Sequence, residues 1–562
     1  MVNVNVQGTL KRWGKKWTTR EGLLGDYDYG YLFIPQLPFT KKTPKTQPFF
    51  GLNDKMPVIL GLLLGFQHAL AMLAGVVTPP IMISAAANLD ADTQNYLVST
   101  SLIVTGILSS VQITRFHIYG TKYHIGTGLL SVVGTSFATI NIVSQGFPLM
   151  YENGVCEIID GVKQPCPDGY GKILGTAMVC CLIEVLLSFT PAKILQKVFP
   201  SIITGSVVLL IGAHLVHSGA NDWLGGSYCA HGTCASNHGT TAPWGSAQFI
   251  GLGFTVFVSI VFFERFGSPI MKSCAVILGL LMGCIVGAAT GYFTPTQIEN
   301  AKAVSFVWVK TFKLGFYAPV VLPFIMVYVV LMMEAIGDIT ATADLSKVDL
   351  ESEEFESRVQ GGVLADGLFG VFAGLMTMTP YSTFAQNNGV ISITKCASRR
   401  VGYYNSAILI IMGVFAKLSG VILSIHKSVL GGMTSFLFAS VAASGMKIIS
   451  ESDLSRRNRF ILTCIFVIGL PPILMESWFS NVFTYDGDNT GLKSFFQALT
   501  LVANSGFAIG GFVGLIVNLI LPMIEDEVEE IDEVIVTNQI NSSSSAEQQY
   551  VHKEMEKGMS SE

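Results

Sequence analysis

The chain has 562 residues, of which 50% are hydrophobic and only 13% charged, with 57 Gly, 36 Phe and a formal net charge of -5. Soluble domains carry roughly twice that share of charge, so a purely aqueous fold is excluded, and the near-neutral balance gives no basic footprint for nucleic acid. With a mean hydropathy of +0.53, the composition is that of a polytopic membrane protein, in which small residues let helices approach and Phe faces lipid.

The first 30 residues lack the apolar core of a signal peptide, so residues 1–55 are expected to be a cytoplasmic tail, with insertion driven by the first spans. From Pro57 to about Ile524 the chain is mostly apolar, and charge-poor stretches of 18 or more residues are candidate spanning helices. Such stretches fall at 57–86, 95–118, 126–147, 173–190, 199–217, 248–264 and 274–293, then at 318–337, 361–378, 382–394, 401–424, 429–450, 460–480 and 495–524. The reading is an all-α integral membrane protein of about fourteen spans, the tenth too short to cross about 30 Å of hydrocarbon alone.

Loops rich in Lys and Arg stay in the cytoplasm. Lys11, Arg12, Lys15, Lys16 and Arg20 precede the first span. Further clusters fall at alternate loops: Arg115 and Lys122, Lys193 and Lys197, Arg265 and Lys272, Lys395 to Arg400, and Arg456 to Arg459. An even number of spans with both termini inside follows. Lys302, Lys310 and Lys313 break the alternation, which predicts a structured surface crossover there. Cys156 and Cys166 share one predicted external loop and Cys229 and Cys234 another, so each pair is a disulfide candidate or a pair of free thiols. Residues 525–562 are acidic and Ser-rich, too polar to bury a core, and are expected to be a disordered cytoplasmic tail.

An ionisable group inside a span costs roughly 2.5 to 3.5 kcal/mol on insertion scales, so its default reading is functional. The first span carries Gln67 and His68, the eighth Glu334 and Asp338, the ninth Asp366, and the tenth Gln386, Asn387 and Asn388 after Pro380. Glu334 and Asp338 are i,i+4 and share a helical face. Like charges there repel, so one is expected to hold a proton part of the time; the other reading puts Asp338 at a solvated span end. The tenth region has the pattern of a broken helix, with Ser382 or Thr383 as caps. Such helices are tolerated in a membrane only where they are buried in protein or line a cavity. Thr135–Val143 (TSFATINIV) echoes Ser382–Val390 (STFAQNNGV), aligning Phe137 with Phe384 seven spans apart, as an inverted repeat would.

The chemistry favours a flat, hydrogen-bonding solute. Gln386 offers a donor and an acceptor side by side, matching a purine lactam edge, as Gln and Asn read adenine. Glu334 can accept from a ring N–H, and Phe137, with Phe384 as a second candidate, can stack on the ring. No phosphate-binding loop and no HExxH motif occurs, so neither ATP hydrolysis nor zinc chemistry is indicated. No cofactor or metal is expected, and the energy must come from an ion gradient.

Gln386–Lys395 (QNNGVISITK) resembles the signature of the nucleobase-ascorbate transporters: Gln, Glu or Pro, then Asn, any residue, Gly, any four, Thr, and Arg, Lys or Gly. The segments QHALAMLAGVVTPP, ERFGSPIMKSC, EAIGDITAT and FESRVQGGVLADG are likewise similar to fungal uric acid and xanthine permeases, and the resemblance runs from about Thr19 to Pro522. It implies a plasma-membrane proton symporter of xanthine and uric acid that is not an enzyme. Two inverted seven-span repeats, with short extended segments or half-helices in spans 3 and 10, would form a core (56–190 and 318–425) and a gate (191–317 and 426–524). Elevator movement and a homodimer in membrane lipid are implied too. Glu334, Gln386, Phe137 and the Ala385 main chain would bind purine, with Ser136 and Phe384 beside them. His68, Gln67, Asp338, Asp366, Asn387, Thr394 and Lys395 would support coupling or tune affinity. Phe507 is a candidate for gate selectivity. The alternatives are an anion exchanger of related fold and a nutrient receptor that does not transport.

Overall fold

The computed structural model describes residues 19–25, 27–35, 49–191, 198–226, 229, 232–235, 241–293, 295–350, 352–450, 452–475, 478–479, 481–485, 487 and 489–522. The readings of residues 1–18 and 525–562 as tails lie outside the described residues.

The first two long helices are α1 (Val58–Ala86) and α2 (Ala91–Thr114), the second capped by Asp90, whose carboxylate accepts from Thr93 N–H. A short strand β1 (Val133–Thr135) leads into α3 (Ala138–Glu152). Helices α4 (Pro167–Cys180), α5 (Leu182–Leu187), α6 (Ser201–Trp223), α7 (Ala247–Phe266), α8 (Pro269–Ser273) and α9 (Ala275–Ala289) follow. Next come α10 (Val321–Leu345) and α11 (Glu353–Leu375), then strand β2 (Tyr381–Thr383) and α12 (Gln386–Thr394). The chain closes with α13 (Arg399–Val414), α14 (Lys417–Leu423), α15 (Lys427–Ser450), α16 (Arg456–Gly469), α17 (Pro471–Leu474), α18 (Thr490–Asn504) and α19 (Gly506–Ile520).

Among the described residues, eight helical stretches are long and apolar enough to cross a membrane, and ten if each of two bent pairs is one span. The protein is therefore a helical, multi-pass membrane protein. Several expected spans are not single helices. The expected third span (126–147) is extended until Ala138, because Gly126 and Gly128 take positive φ (93° and 68°) and Gly126 N–H donates to Gly361 C=O. The expected eleventh bends by 78° between α13 and α14, and the fourteenth by 88° between α18 and α19. The second bend falls where Gly506 meets α16: a Cβ there would stand 2.2 Å from Gly469 O. The expected thirteenth (460–480) is observed as one apolar helical stretch from Arg456 to Leu474.

Helices α6 and α15 pack along their length, antiparallel, through small residues. A Cβ at Gly212 would lie 2.4 Å from Ala442 N, and one at Gly445 would lie 2.4 Å from Leu209 N. Close backbone approach of this kind supplies the dispersion that holds helices together where lipid removes the hydrophobic drive. Helices α7 and α9 pack on α15, and α16 and α19 on α6. A second set of contacts joins α1, α2 and α13, and a third joins α10, α11 and α5. The segment with Lys302, Lys310 and Lys313 is a structured crossover: Lys310 Nζ pairs with Asp92 at 2.8 Å, and the Lys313–Gly315 backbone lies against Gly171 and Gly175 of α4. Cys156–Cys166 and Cys229–Cys234 are disulfide-bonded. Residues 50–52 are stitched beside 395–399 by Phe50 N–H to Lys395 C=O, Ala397 N–H to Phe50 C=O and Arg399 N–H to Leu52 C=O.

Two predictions follow from this packing. Gly212→Val forces α6 and α15 apart at a cost of about 1–3 kcal/mol, and its melting temperature in detergent should fall; an unchanged melt would show that the contact is not tight. At the start of α11, Arg358 (2.6 Å) and Arg115 (3.3 Å) flank the Glu354 carboxylate. The Arg358 charge and hydrogen bond, aided by Arg115 against a small effect of burial, hold this acid below the usual glutamate range. A depressed acid stabilises the fold above its ordinary range and loses that contribution as pH falls through its folded value. Melting curves of parent and Glu354→Gln should accordingly differ at neutral pH and converge in acid.

Candidate functional site

The site grows from the pairing of β1 with β2. They are antiparallel, with Val133 opposite Thr383, Gly134 opposite Ser382 and Thr135 opposite Tyr381. Ser136 N–H donates to Pro380 C=O and Phe384 N–H to Val132 C=O, both at 2.9 Å, so the ladder extends one bond beyond each strand. The pairing is the device by which extended backbone inside an apolar bundle satisfies its polar groups. Helices α3 and α12 start immediately after the paired segments.

Neither cap candidate caps α12. Its N-cap is Ala385, with no side-chain cap bond. The two β2 hydroxyls are used elsewhere because successive strand residues face opposite ways. Ser382 Oγ donates to Asp366 Oδ2 (3.1 Å) and Thr383 Oγ1 to Asp338 Oδ2 (3.2 Å). Asn388 ties the same helix start to α10: its Oδ1 accepts from Thr342 Oγ1 (2.6 Å) and its Nδ2 donates to Asp338 C=O (3.4 Å).

On the side facing open space are Glu334 and Asp338 of α10, half-buried, with Ala385 exposed and Gln386 half-buried at the start of α12. A Cβ added at Gly337 or Gly389 would meet nothing within 4 Å. Glu334 and Gln386 make no hydrogen bond to the described residues, whereas Asp338 already holds Thr383. A carboxylate and a primary amide are thus presented unpaired beside accessible volume.

Phe137, 9% exposed at the start of α3, is parallel to Phe384 (ring centroids 6.1 Å apart, planes 4°) and meets Phe438 of α15 edge-on at 5.6 Å. Phe384 lies over two glycines: Cβ atoms at Gly134 and Gly75 would stand 2.4 and 3.0 Å from its ring. Its ring is packed between main chains, so Phe137 is the freer of the two. Ser136 Oγ accepts from Ala138 N–H and holds the first turn of α3.

His68 and Asn387 form a buried pair behind the site. Asn387 Nδ2 donates to Leu130 C=O at 2.6 Å, which leaves Oδ1 as the acceptor facing His68 Nδ1 at 2.9 Å. Nδ1 therefore carries the hydrogen. Gln67, by contrast, turns away: its Nε2 donates to Ser273 Oγ (2.7 Å) beside α8. Thr394 donates to Val390 C=O and Phe507 is buried in the core, so neither is brought into the open space; Lys395, exposed, lies at the far end of α12 with φ 53°. Sequence reasoning passed over Glu184 and Tyr328, both fully buried close to Asp366; the signal was there, since Glu184 is the one charged residue between Lys172 and Lys193.

A carrier-type membrane protein is the class this arrangement defines, with a polar site held between broken helices. Residues 61–475 match the family model described as "Permease family" (Xan_ur_permease). The chain is 54% identical over 554 residues to a purine permease of Emericella nidulans, covering 96% of this chain and 95% of that one. It is 53% identical over 536 residues to the uric acid-xanthine permease of the same organism, covering 95% and 93%. The protein belongs to this permease family, the nucleobase-ascorbate transporters, and is a transport protein rather than an enzyme. In fold it is similar to SLC26A9, with a TM-score of 0.50 and 11% identity over 73% of this chain and 62% of that one.

The His68–Asn387 pair gives a measurable prediction. His68→Ala leaves Asn387 Oδ1 buried without a donor, at about 1–3 kcal/mol. A double-mutant cycle with Asn387→Ala, read by unfolding of the purified protein, should return a coupling of about 0.5–3 kcal/mol. Additive effects would show that the bond does not form.

Proposed function

We propose that the protein is a proton-coupled symporter that imports xanthine and uric acid across the plasma membrane. The observation carrying this reading is that Glu334 of α10 and Gln386 at the start of α12 are both half-buried and without hydrogen-bond partners among the described residues, next to the open positions at Gly337 and Gly389. The Gln386 amide matches the donor–acceptor edge of a purine lactam, and Glu334 accepts from a ring N–H. Phe137 stacks on the ring, and the start of α12 at Ala385 directs main-chain N–H groups toward oxo substituents. Curated relatives more than half identical to this chain are named purine permease and uric acid-xanthine permease, which supports the substrate class.

Carboxyls rather than cations line the site, which disfavours anion exchange, and the fold likeness to SLC26A9 carries no substrate with it. Protons are the coupling ion in this reading, moving through Asp338, Asp366 and the His68–Asn387 pair, with no further cofactor. The matched starts of α3 and α12, each preceded by a paired strand, support two inverted repeats of seven elements, some too short or too bent to be single spans. Residues 56–190 and 318–425 form a core carrying the site; residues 191–317 and 426–524 form a gate, with α6 and α15 as its spine. The core slides against the gate in an elevator movement. The protein works as a homodimer in lipid, with both termini in the cytoplasm.

Glu334→Gln and Gln386→Ala should reach the cell surface yet lower kcat/KM for labelled xanthine by about tenfold to a hundredfold, as expected for losing a charge-assisted hydrogen bond of ~1.5–3 kcal/mol. Parental uptake by both would refute the site. Accumulation in a transporter-null cell separates the alternatives: purine uptake, anion uptake, or none.

A further inference from the structure

Helix α5 carries one ionisable residue, Glu184, and it is fully buried. Gly367 and Gly370 of α11 admit α5 closely: a Cβ at Gly367 would stand 2.9 Å from Val185 N, and one at Gly370 would stand 2.5 Å from Cys181 Cβ. Asp366, also fully buried, precedes Gly367, whose Cβ position lies 3.3 Å from Glu184 C, and the two carboxyls interact. Among the described residues no donor reaches either oxygen of Glu184 or Oδ1 of Asp366. An ionised carboxylate offers acceptors only, so two of them cannot bond to one another. Buried side by side without a cation, they would also leave two charges unneutralised in an apolar medium. A single proton between them removes both difficulties.

Among the described residues, the groups facing Glu184 offer no cation to do the same. Asp366 comes from α11, Glu334 and Tyr328 from α10, and Cys180 and Cys181 from the end of α4. Tyr328 Oη has no partner among the described residues either.

We propose that Glu184 and Asp366 hold one proton between them, and that Glu184 is the interior acceptor of the coupling proton, a positioning group that acts on the substrate site through Asp366 and β2. This rests on the proton-symport reading above. The route to the site is short. Ser382 holds Asp366, the next residue Thr383 holds Asp338, and two residues further on α12 begins with Ala385 and Gln386. The charge on the buried pair therefore acts on the strand that positions the purine-binding amide. Glu184 touches no substrate, so its loss should alter coupling and spare affinity.

The test uses the full-length protein in liposomes with an internal pH dye and xanthine as the probe. The Glu184→Gln amide can donate permanently to Asp366, standing where the shared proton would be. We expect this variant to bind xanthine with parental affinity and to exchange it at equal concentrations across the membrane. It should lose xanthine-driven proton entry and the pH dependence of uptake. Parental proton entry per xanthine in Glu184→Gln overturns the proposal. Absence of xanthine-driven proton entry in the parent instead sinks the symport reading, and this proposal with it, so the two failures are distinguishable. If Glu184→Gln does not fold, infrared spectra decide: a protonated-carboxyl C=O stretch at neutral pH that persists in Glu334→Gln and in Asp338→Asn supports the pair, and its absence overturns it.

Discussion

The structure depends on backbone hydrogen bonding between two three-residue strands, β1 and β2. Extended chain inside an apolar bundle leaves N–H and C=O groups that neither water nor lipid can satisfy. Pairing Val133–Thr135 with Tyr381–Thr383, and extending the ladder through Ser136 and Phe384, satisfies them internally. That ladder places the start of α3 with Phe137, the start of α12 with Gln386, and the two hydroxyls that reach Asp338 of α10 and Asp366 of α11.

Acidic groups and aromatic rings divide the surroundings of this ladder between them. Glu334, Asp338, Asp366 and Glu184 come from α10, α11 and α5, on the side where Gly367 and Gly370 allow dense packing. Phe137, Phe384 and Phe438 gather where α3, α12 and α15 meet. A planar solute that needs hydrogen bonds at its edge and dispersion at its face suits such a division. The glycine-lined contact of α6 with α15 is of another kind, main chain against main chain, with Gly212 at Ala442, Gly445 at Leu209 and Gly431 at Asp222–Trp223.

Much of this was legible in the residues. The expected ends of α1, α7 and α15 lie within two positions of those observed, because long apolar runs bounded by Pro and charge leave little choice. Glu334, Asp338 and Gln386 stand out as polar groups in apolar surroundings, and the echo between Ser136-Phe137 and Thr383-Phe384 coincides with the two strand-to-helix junctions. The strand pairing itself was hidden, since three residues show no periodicity and the partners are almost 250 positions apart. Ser382 and Thr383 were read as helix caps, which they would be in an isolated helix; here buried carboxylates compete for the same hydroxyls and win. The 88° bend before Gly506 was equally unreadable, being set by the neighbour at Gly469 rather than by its own sequence. Gln67 and His68 are adjacent, yet helical geometry turns one toward α8 and the other toward α12.

The bridge between residues 50–52 and 395–399 ties the chain ahead of the first membrane helix to the turn that ends α12. Lys395, the last residue of the signature, thus anchors this seam through its own carbonyl. A displacement of the chain before Pro57 is thereby shared, through three backbone hydrogen bonds, with the far end of the helix that Gln386 opens.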